Sequence, residues 1–205
     1  NNNRDWFAAN KSRYEEQLKD PALRFIEDFW LELTKISPHF LANPRSLFRI
    51  HRDVRFSKDK SPYKTTAGIQ FRHEASKNAS APCFYLHLSP GNVFAGCGIW
   101  HPEGTVLLSI REHIAKEPAA WKRASRGKKF ADTFRLRGDR LSRPPSGFAA
   151  DHPMIEDLQW KDFTGVRPLT HAFVTSDSLP QDLGRTFKLG APFVQFLCDA
   201  LSVPF

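Results

Sequence analysis

The residues best suited to chemistry lie together in the segment RIHRDVRFSKDKSPYK, residues 49–64, called here the cationic segment. It combines three arginines and three lysines with only two aspartates and one tyrosine: Arg49, Arg52, Arg55, Lys58, Lys60, Lys64, Asp53, Asp59 and Tyr63. A guanidinium group offers a rigid fork of donors that fits a carboxylate or a phosphate. The segment therefore predicts a pocket for a small anionic ligand, for example a phosphorylated one.

Within this pocket the sequence suggests a division of roles. The guanidinium groups of Arg49, Arg52 and Arg55 would hold the anion, and Lys60 and Tyr63 would close over it. Asp53 would orient the arginines, and Asp59 belongs to the same ligand-binding set. A structural alternative stays open, in which Arg52 pairs with Asp53 and Arg55 with Asp59. Those ion pairs would then only tie a loop to the sheet.

A predicted β-hairpin, CFYLHLSPGNVFAGCGIWHP, supplies a second set of candidates. On its first strand Tyr85, His87 and Ser89 share a face, because side chains alternate along a strand. Gly96 and Gly98 alternate on the second strand, and glycines there often mark the close approach of a ligand or of another backbone. Gly96, Gly98, Trp100 and His101 would form the wall opposite the arginines. The alternative is a helix packed against this flat patch.

The eight histidines raise the question of metal or acid–base chemistry. None has the spacing of a metal motif such as HExxH, and no metal or cofactor is expected. His87 or His101 beside a carboxylate would suit a hydrolytic enzyme, which stays open as an alternative function. The GxSxG, P-loop and GxGxxG motifs are absent from the sequence. Whether the protein is an enzyme is left undecided.

A second basic segment, residues 122–143, holds nine basic and two acidic residues. Trp121, Phe130 and Phe134 lie among these cations, and such a mixture is typical of nucleic-acid-binding surfaces. A nucleic acid or an acidic protein is therefore an alternative partner. A solvated basic loop explains the same composition without any partner.

The elements that must position these residues follow from hydrophobic periodicity. Residues 23–33 predict an amphipathic helix after an Asp20 cap, with Ile26, Phe29, Trp30 and Leu33 inward, and Asp5 predicts the cap of an earlier one. Alternation predicts strands over residues 47–52, 66–73, 83–88, 93–100 and 162–169. Helices are predicted over residues 103–116, 118–124 and 176–201, with a helical turn over 153–160 capped by Asp151. Residues 126–148 are expected to form a loop with one short edge strand.

Hairpin-linked strands between N-terminal and C-terminal helices predict an α+β fold with an antiparallel or mixed sheet. With 205 residues, 18 of them Phe, the chain suits one domain over residues 1–205.

The net charge of +8 favours acidic partners. Three cysteines without short spacing favour a reducing cytoplasm. No apolar run approaches the length of a membrane span, so no membrane partner is expected. Oligomeric state is not specified by the sequence.

Four stretches together resemble a known family: NNNRDWFAANKSRYEE, the cationic segment, the YLHLSPG…GCGIWHP hairpin, and RPPSGFAADHP followed by Arg167-Pro168-Leu169. The chain is similar over nearly its whole length to the conserved hypothetical family called domain of unknown function 2461. The resemblance implies a single-domain soluble protein, found mainly in bacteria, with no established activity. It carries over a motif but no catalytic assignment: Arg49, Arg52, Asp53, Arg55, Phe56, Asp59, Lys60 and Tyr63.

Overall fold

An antiparallel sheet with helices packed on one face forms the structure, a computed structural model that describes residues 2–76 and 81–205. Within these ranges the six strands lie in the order β1-β2-β3-β4-β6-β5, and every neighbouring pair is antiparallel. The strands are β1 (Phe40–Leu41), β2 (Ala67–His73), β3 (Cys83–Ser89), β4 (Asn92–Ile99), β5 (Arg135–Arg137) and β6 (Phe163–Pro168). The predicted α+β fold class is confirmed.

The helices precede the sheet, interrupt it after β4 and close the chain. They are α1 (Arg4–Ala9), α2 (Lys11–Tyr14), α3 (Asp20–Thr34), α4 (Gly104–Lys116), α5 (Pro118–Arg126), α6 (Lys128–Thr133), α7 (Ile155–Leu158), α8 (His171–Val174) and α9 (Leu179–Ala200). A π-helical turn, Glu15–Lys19, joins α2 to α3, and a 3-10 turn, Pro44–Ser46, follows β1. No helix in the described ranges has the length and apolar character needed to cross a membrane.

Strand alternation divides the sheet into two unlike faces. On β3, Phe84 and Leu86 are buried, whereas Tyr85 and His87, which alternate with them, are only partly buried. We call the face with Phe84 the inner face and the face with Tyr85 the outer face. Tyr85 lies opposite Gly96 and His87 opposite Phe94 in the β3–β4 pair, so these four residues share the outer face.

The hydrophobic core lies between the inner face and helices α3 and α9. Phe29 of α3 contacts Phe71 of β2 with ring centroids 4.6 Å apart. Phe84 of β3 contacts Phe187 of α9 at 4.9 Å. Aromatic rings bury large apolar areas, so these contacts fix both helices on the sheet. The predicted packing of the sheet by N-terminal and C-terminal helices is confirmed.

The most regular part of the sheet is the predicted hairpin of β3 and β4. Ser89 pairs with Asn92, so only Pro90 and Gly91 form the turn. Gly91 has φ 74°, a left-handed conformation that favours glycine. The hairpin aligns Tyr85, His87 and Gly96 by its register alone.

Several local predictions are wrong. Residues 47–52 do not form a strand, because only isolated bridges join Leu47 to Ile69 and His51 to Tyr63. Helices α6 and α8 were not predicted, since their few residues carry little periodicity. Trp30 is 52% exposed rather than inward.

The predicted helix caps also differ from the observed ones. Asn3, not Asp5, caps α1, since its side chain accepts a hydrogen bond from the Trp6 amide at 2.8 Å. Asp20 has α-helical φ and ψ, because the π-helical turn runs into α3 without a break. Asp151 lies outside the end of α7, where Met154 occupies the capping position. A pattern of polar residues thus marks the approximate start of a helix and not its capping side chain.

Candidate functional site

The cationic segment is a long loop that leaves the sheet beside β2. Its two ends run antiparallel, because the Lys64 amide donates to the Ile50 carbonyl at 2.8 Å and the Arg52 amide to the Pro62 carbonyl at 2.9 Å. The Phe48 amide donates to the Gly68 carbonyl at 2.9 Å and attaches the first end to β2. Between the ends, residues 53–60 protrude as a tip, called here the Phe56 loop.

Two ion pairs brace this loop. Arg55 reaches Asp53 through two nitrogens, with Nε–Oδ1 at 3.0 Å and Nη2–Oδ2 at 2.7 Å. Arg52 pairs with Asp59 and also donates to the Ser61 carbonyl at 3.2 Å. The partners are exchanged relative to the structural alternative considered from the sequence. Each of these two guanidinium groups therefore has its own carboxylate.

The carboxylates respond to this bonding. Hydrogen bonds from Arg55 lower the pKa of Asp53 to about 2. The pKa of Asp59 is also lowered to about 2, chiefly by hydrogen bonds from Ser61 and then from Arg52. Hydrogen bonds to the charged form of an acid stabilise that form and lower its pKa. Both aspartates are therefore ionised and engaged at neutral pH.

Lys60 and Tyr63 have contacts other than those expected of a closing lid. The Lys60 ammonium donates to the Val54 carbonyl at 2.9 Å. The Tyr63 ring stacks on Phe7 of α1 with centroids 4.2 Å apart. Asn2 exchanges hydrogen bonds with the Tyr63 backbone. These two residues hold the loop and the N-terminal helix in place.

The two glycines of β4 have different surroundings. Gly98 has φ 117°, and a Cβ built there would lie 2.0 Å from the Phe163 carbonyl oxygen and 2.9 Å from the Phe193 ring. Close packing by β6 and α9 thus explains this glycine, as in the packing alternative. At Gly96 the nearest atom to such a Cβ lies 3.7 Å away, in Tyr85, so packing does not require a glycine.

Trp100 and His101 follow the end of β4 that lies away from the cationic segment. Trp100 is 68% exposed, and the His101 amide donates to Asp162 Oδ1 at 2.7 Å. The cationic segment joins the sheet near Val93, about 20 Å away along the strand at ~3.3 Å per residue. The ring centroids of Phe48 and Tyr85 lie 5.9 Å apart on the outer face. The part of the sheet next to the cationic segment is therefore this outer face around Tyr85, and not the end that carries Trp100.

Within the described ranges, neither the His87 nor the His101 imidazole forms an ion pair with a carboxylate. His87 Nδ1 lies 3.1 Å from the Tyr85 hydroxyl, and burial lowers the pKa of His87. Among the described residues, the histidine–carboxylate ion pair joins His39 to Glu74 at 2.6 Å, and neither belongs to the predicted site. Nor do the described residues contain a group of three or more potential metal ligands. The geometry therefore gives no support to a hydrolase based on His87 or His101.

A residue that was not assigned to the site from the sequence lines a cavity beside the cationic segment. Lys64 lines a cleft of about 850 Å³ at the edge of the sheet. Its walls are largely apolar and come from the cationic segment, the β3–β4 turn and α8, with Leu47, Phe48, Ile50, Leu88, Val93, Leu169 and Val174 among them. We call it the Lys64 cleft.

A smaller hollow of about 490 Å³ continues this cleft toward the N-terminal helices. The two share Tyr14, Leu18, Ile50, Lys64 and Thr65 in their linings. Lys64 therefore lies at the junction of the two hollows. Neither lining contains an Asp or Glu side chain among the described residues.

The electrostatics of Lys64 distinguish it from the braced arginines. Its ammonium lies 5.3 Å from the Phe48 ring centroid and has no carboxylate within ion-pairing distance in the described part of the chain. Burial, and then the nearby charge of Arg49, lower the pKa of Lys64. One sequence signal could have singled it out, since Lys64 lies five residues from the nearest acid, farther than any other cation of the segment.

The aromatic residues of the second basic segment do not face solvent. Trp121, Phe130 and Phe134 are all buried in the hydrophobic core. The expectation that they form a nucleic-acid-binding surface with the neighbouring cations is therefore wrong. Arg126 is also structural, since its Nη2 donates to both oxygens of the buried Asp157 at 2.8 Å.

The comparison with known proteins shows the family. The model of the family described as "Conserved hypothetical protein (DUF2461)" matches residues 1–196, and the chain belongs to that family. No curated protein and no solved structure matches the chain at a significant level. Membership assigns no chemistry, so any function must be argued from the site itself.

Proposed function

We propose that this family member binds a small organic anion, a carboxylate or a phosphate ester with an apolar body, in the Lys64 cleft. The anionic group would accept hydrogen bonds from the Lys64 ammonium, and the apolar body would lie against Phe48, Leu88 and Val174. One observation carries the proposal: a partly buried ammonium, which has no carboxylate partner among the described residues, lines a concave and mostly apolar cavity.

The energetics support an anion at this position. Partial burial removes water from an ammonium and leaves it unfavourable until an opposite charge replaces that water. Arg49 adds a second positive charge close enough to lower the Lys64 pKa. Arg52 and Arg55 already pair with carboxylates, which leaves Lys64 and the nearby Arg49 as the described cations available at this cleft. The proposed anion site therefore lies at the Lys64 end of the cationic segment, and not between Arg52 and Arg55.

The cavity also indicates the type of ligand. Small-molecule sites are usually concave and mostly apolar, with a few polar groups that fix orientation. Here Tyr14, Thr65, Ser89 and His171 add polar groups to the lining of the cleft. A volume of about 850 Å³ suits a molecule larger than a bare phosphate ion.

Isothermal titration with a panel of aliphatic carboxylates, aromatic carboxylates and phosphate monoesters tests the proposal. We expect at least one class to bind the wild-type protein and the affinity to fall about tenfold or more in Lys64→Met, because a charged hydrogen bond contributes about 1.5–3 kcal/mol. Lys188→Met, an exposed change on α9, removes the same charge outside the cleft and should leave the affinity unchanged. Equal affinities in the two variants would contradict the proposal.

A further inference from the structure

The Phe56 loop presents an aromatic ring to solvent. Phe56 is 96% exposed, more than any other large hydrophobic residue in the described ranges. An exposed phenylalanine contributes nothing to the core, yet Phe56 lies on a loop that is braced by ion pairs and hydrogen bonds. Its role must therefore be sought outside the fold.

The bracing of the loop keeps the ring in that position. Arg55 is held by Asp53, Lys60 donates to the Val54 carbonyl, and the Ser57 amide donates to the Val54 carbonyl at 3.3 Å. Preorganisation of this kind reduces the entropy lost when a loop binds a partner. Both aspartates of the cationic segment are paired with arginines, so they do not neutralise the other cations of the segment.

The cations that remain precede and follow Phe56 along the chain. The ammonium groups of Lys58 and Lys60 have no carboxylate partner in the described part of the chain, and Arg49 likewise lacks one. The Arg55 guanidinium lies 5.8 Å from the Phe56 ring centroid. The partner must therefore be anionic and must also contact an aromatic face.

We propose that the Phe56 loop binds single-stranded nucleic acid, with a base stacked on Phe56 and phosphates contacted by Lys58 and Lys60. Stacking covers the faces of the ring and leaves the neighbouring cations in water beside phosphates. A lipid bilayer or a deep protein pocket fits less well, because burying Phe56 there would also remove water from charged neighbours on both sides. This inference is independent of the Lys64 cleft.

The test measures fluorescence anisotropy of labelled thymidine and uridine oligonucleotides, which separate DNA from RNA. We expect Phe56→Ala to weaken binding about 5- to 150-fold, the loss that corresponds to one stacked base, and Phe56→Trp to retain it. Trp30→Ala removes an exposed aromatic on α3 and serves as the control, with wild-type affinity expected. Thermal midpoints of all variants should be unchanged, since none of these side chains is in the core.

Salt dependence separates stacking from charge. Lys58→Ala should reduce the slope of log affinity against log salt by about 0.7, the value for one phosphate contact on a single strand, whereas Phe56→Ala should leave the slope unchanged. Wild-type protein that binds neither oligonucleotide, or Phe56→Ala protein that binds as wild type, would overturn the proposal. So would a Phe56-dependent association confined to phosphatidylserine vesicles.

Discussion

At the scale of single residues, the cations of the cationic segment differ in the groups that they contact. Arg52 and Arg55 have carboxylate partners, Lys60 has a backbone carbonyl, and Lys64 has an aromatic ring and a cavity. A lysine thus stabilises the loop at position 60 and is available to an anion at position 64. Position in the fold, not charge alone, distinguishes the two roles.

Anion binding at Lys64 should depend on pH. Burial and Arg49 lower the Lys64 pKa below its ordinary value of 10.5, and only the protonated form attracts an anion. Affinity should be constant at neutral pH and fall as the pH rises through that lowered pKa, about tenfold per unit above it. Titration calorimetry between about pH 7 and 10 measures the profile.

Lys64→Arg provides the control for this profile. A guanidinium stays protonated throughout that range, so any binding the variant retains should not change with pH. An alkaline fall in affinity that is identical in the wild-type protein and in Lys64→Arg would assign the titration to another group.

The two aspartates of the segment should titrate near pH 2, well below their ordinary value of 3.8. Because their folded-state pKa values are lowered, their stabilising contacts are complete above about pH 4 and are lost as the pH falls toward 2. Carboxyl carbon chemical shifts measured by NMR follow each group separately.

Single variants should separate the causes of the two shifts. Arg55→Ala should return the Asp53 midpoint toward 3.8 and leave Asp59 low, because Arg55 is the main cause of the Asp53 shift. Ser61→Ala should raise the Asp59 midpoint instead, because Ser61 is the main cause there. Midpoints near 3.8 in the wild-type protein would show that the ion pairs do not form in solution.

At the scale of elements, the β3–β4 hairpin and the cationic segment show two kinds of order. The hairpin is fixed by backbone register, which alternation and a turn signal make visible in the sequence. The segment is fixed by side-chain pairing between residues with no periodic relation, and by Phe48 on the outer face. The irregular structure of residues 47–52 could not be deduced, because these residues carry the alternation of a strand without a long pairing partner.

Gly96 and Gly98 of β4 form a matched pair for testing that element. Gly98→Ala should lower the free energy of unfolding by about 2 kcal/mol or more, because of its φ of 117° and the backbone oxygen 2.0 Å from the new methyl group. Gly96→Ala should change it by less than about 1 kcal/mol, since the new methyl group would make only ordinary van der Waals contacts, the nearest at 3.7 Å. Urea unfolding of both variants provides the comparison, and equal losses would contradict it.

Features of the fold and the site that depend on periodic burial could be predicted from the sequence, whereas features that depend on side-chain pairing could not. Fold class, hairpin and helices α4, α5 and α9 could be predicted, because core burial imposes a period on each. The importance of the cationic segment was also visible from its composition. The ion pair between Arg52 and Asp59 could not be predicted from the sequence. Several pairings of these charged residues are compatible with the sequence, and only the path of the loop determines which one forms. Lys64 was missed for a related reason: its cavity is built by residues from distant parts of the chain.

At the scale of the whole molecule, the net charge of +8 is divided between structural and available cations. Arg126 belongs to the first group, since it neutralises Asp157 beneath α5. Trp121, Phe130 and Phe134 complete the core beside it, although their neighbours in sequence are strongly basic. The basic segment 122–143 is therefore in part a consequence of folding.

Arg126→Ala tests this division. We expect the free energy of unfolding to fall by about 1–3 kcal/mol, because the buried Asp157 carboxylate loses its charged donor while the exposed half of Arg126 moderates the cost. Arg123→Ala, on the same helix and exposed, should stay within about 0.5 kcal/mol of wild type. Chemical denaturation compares the two, and a similar loss in both would point to a general charge effect.

The central claim, an anion held at Lys64, is tested most directly by anomalous diffraction from crystals soaked in a brominated carboxylate. We expect a bromine peak within the apolar part of the Lys64 cleft, near Phe48 and Val174, with the carboxylate within hydrogen-bonding distance of Lys64 Nζ. Soaked crystals of Lys64→Met should lack that peak. Bromine found only elsewhere, for example along the Phe56 loop or residues 122–143, would contradict it.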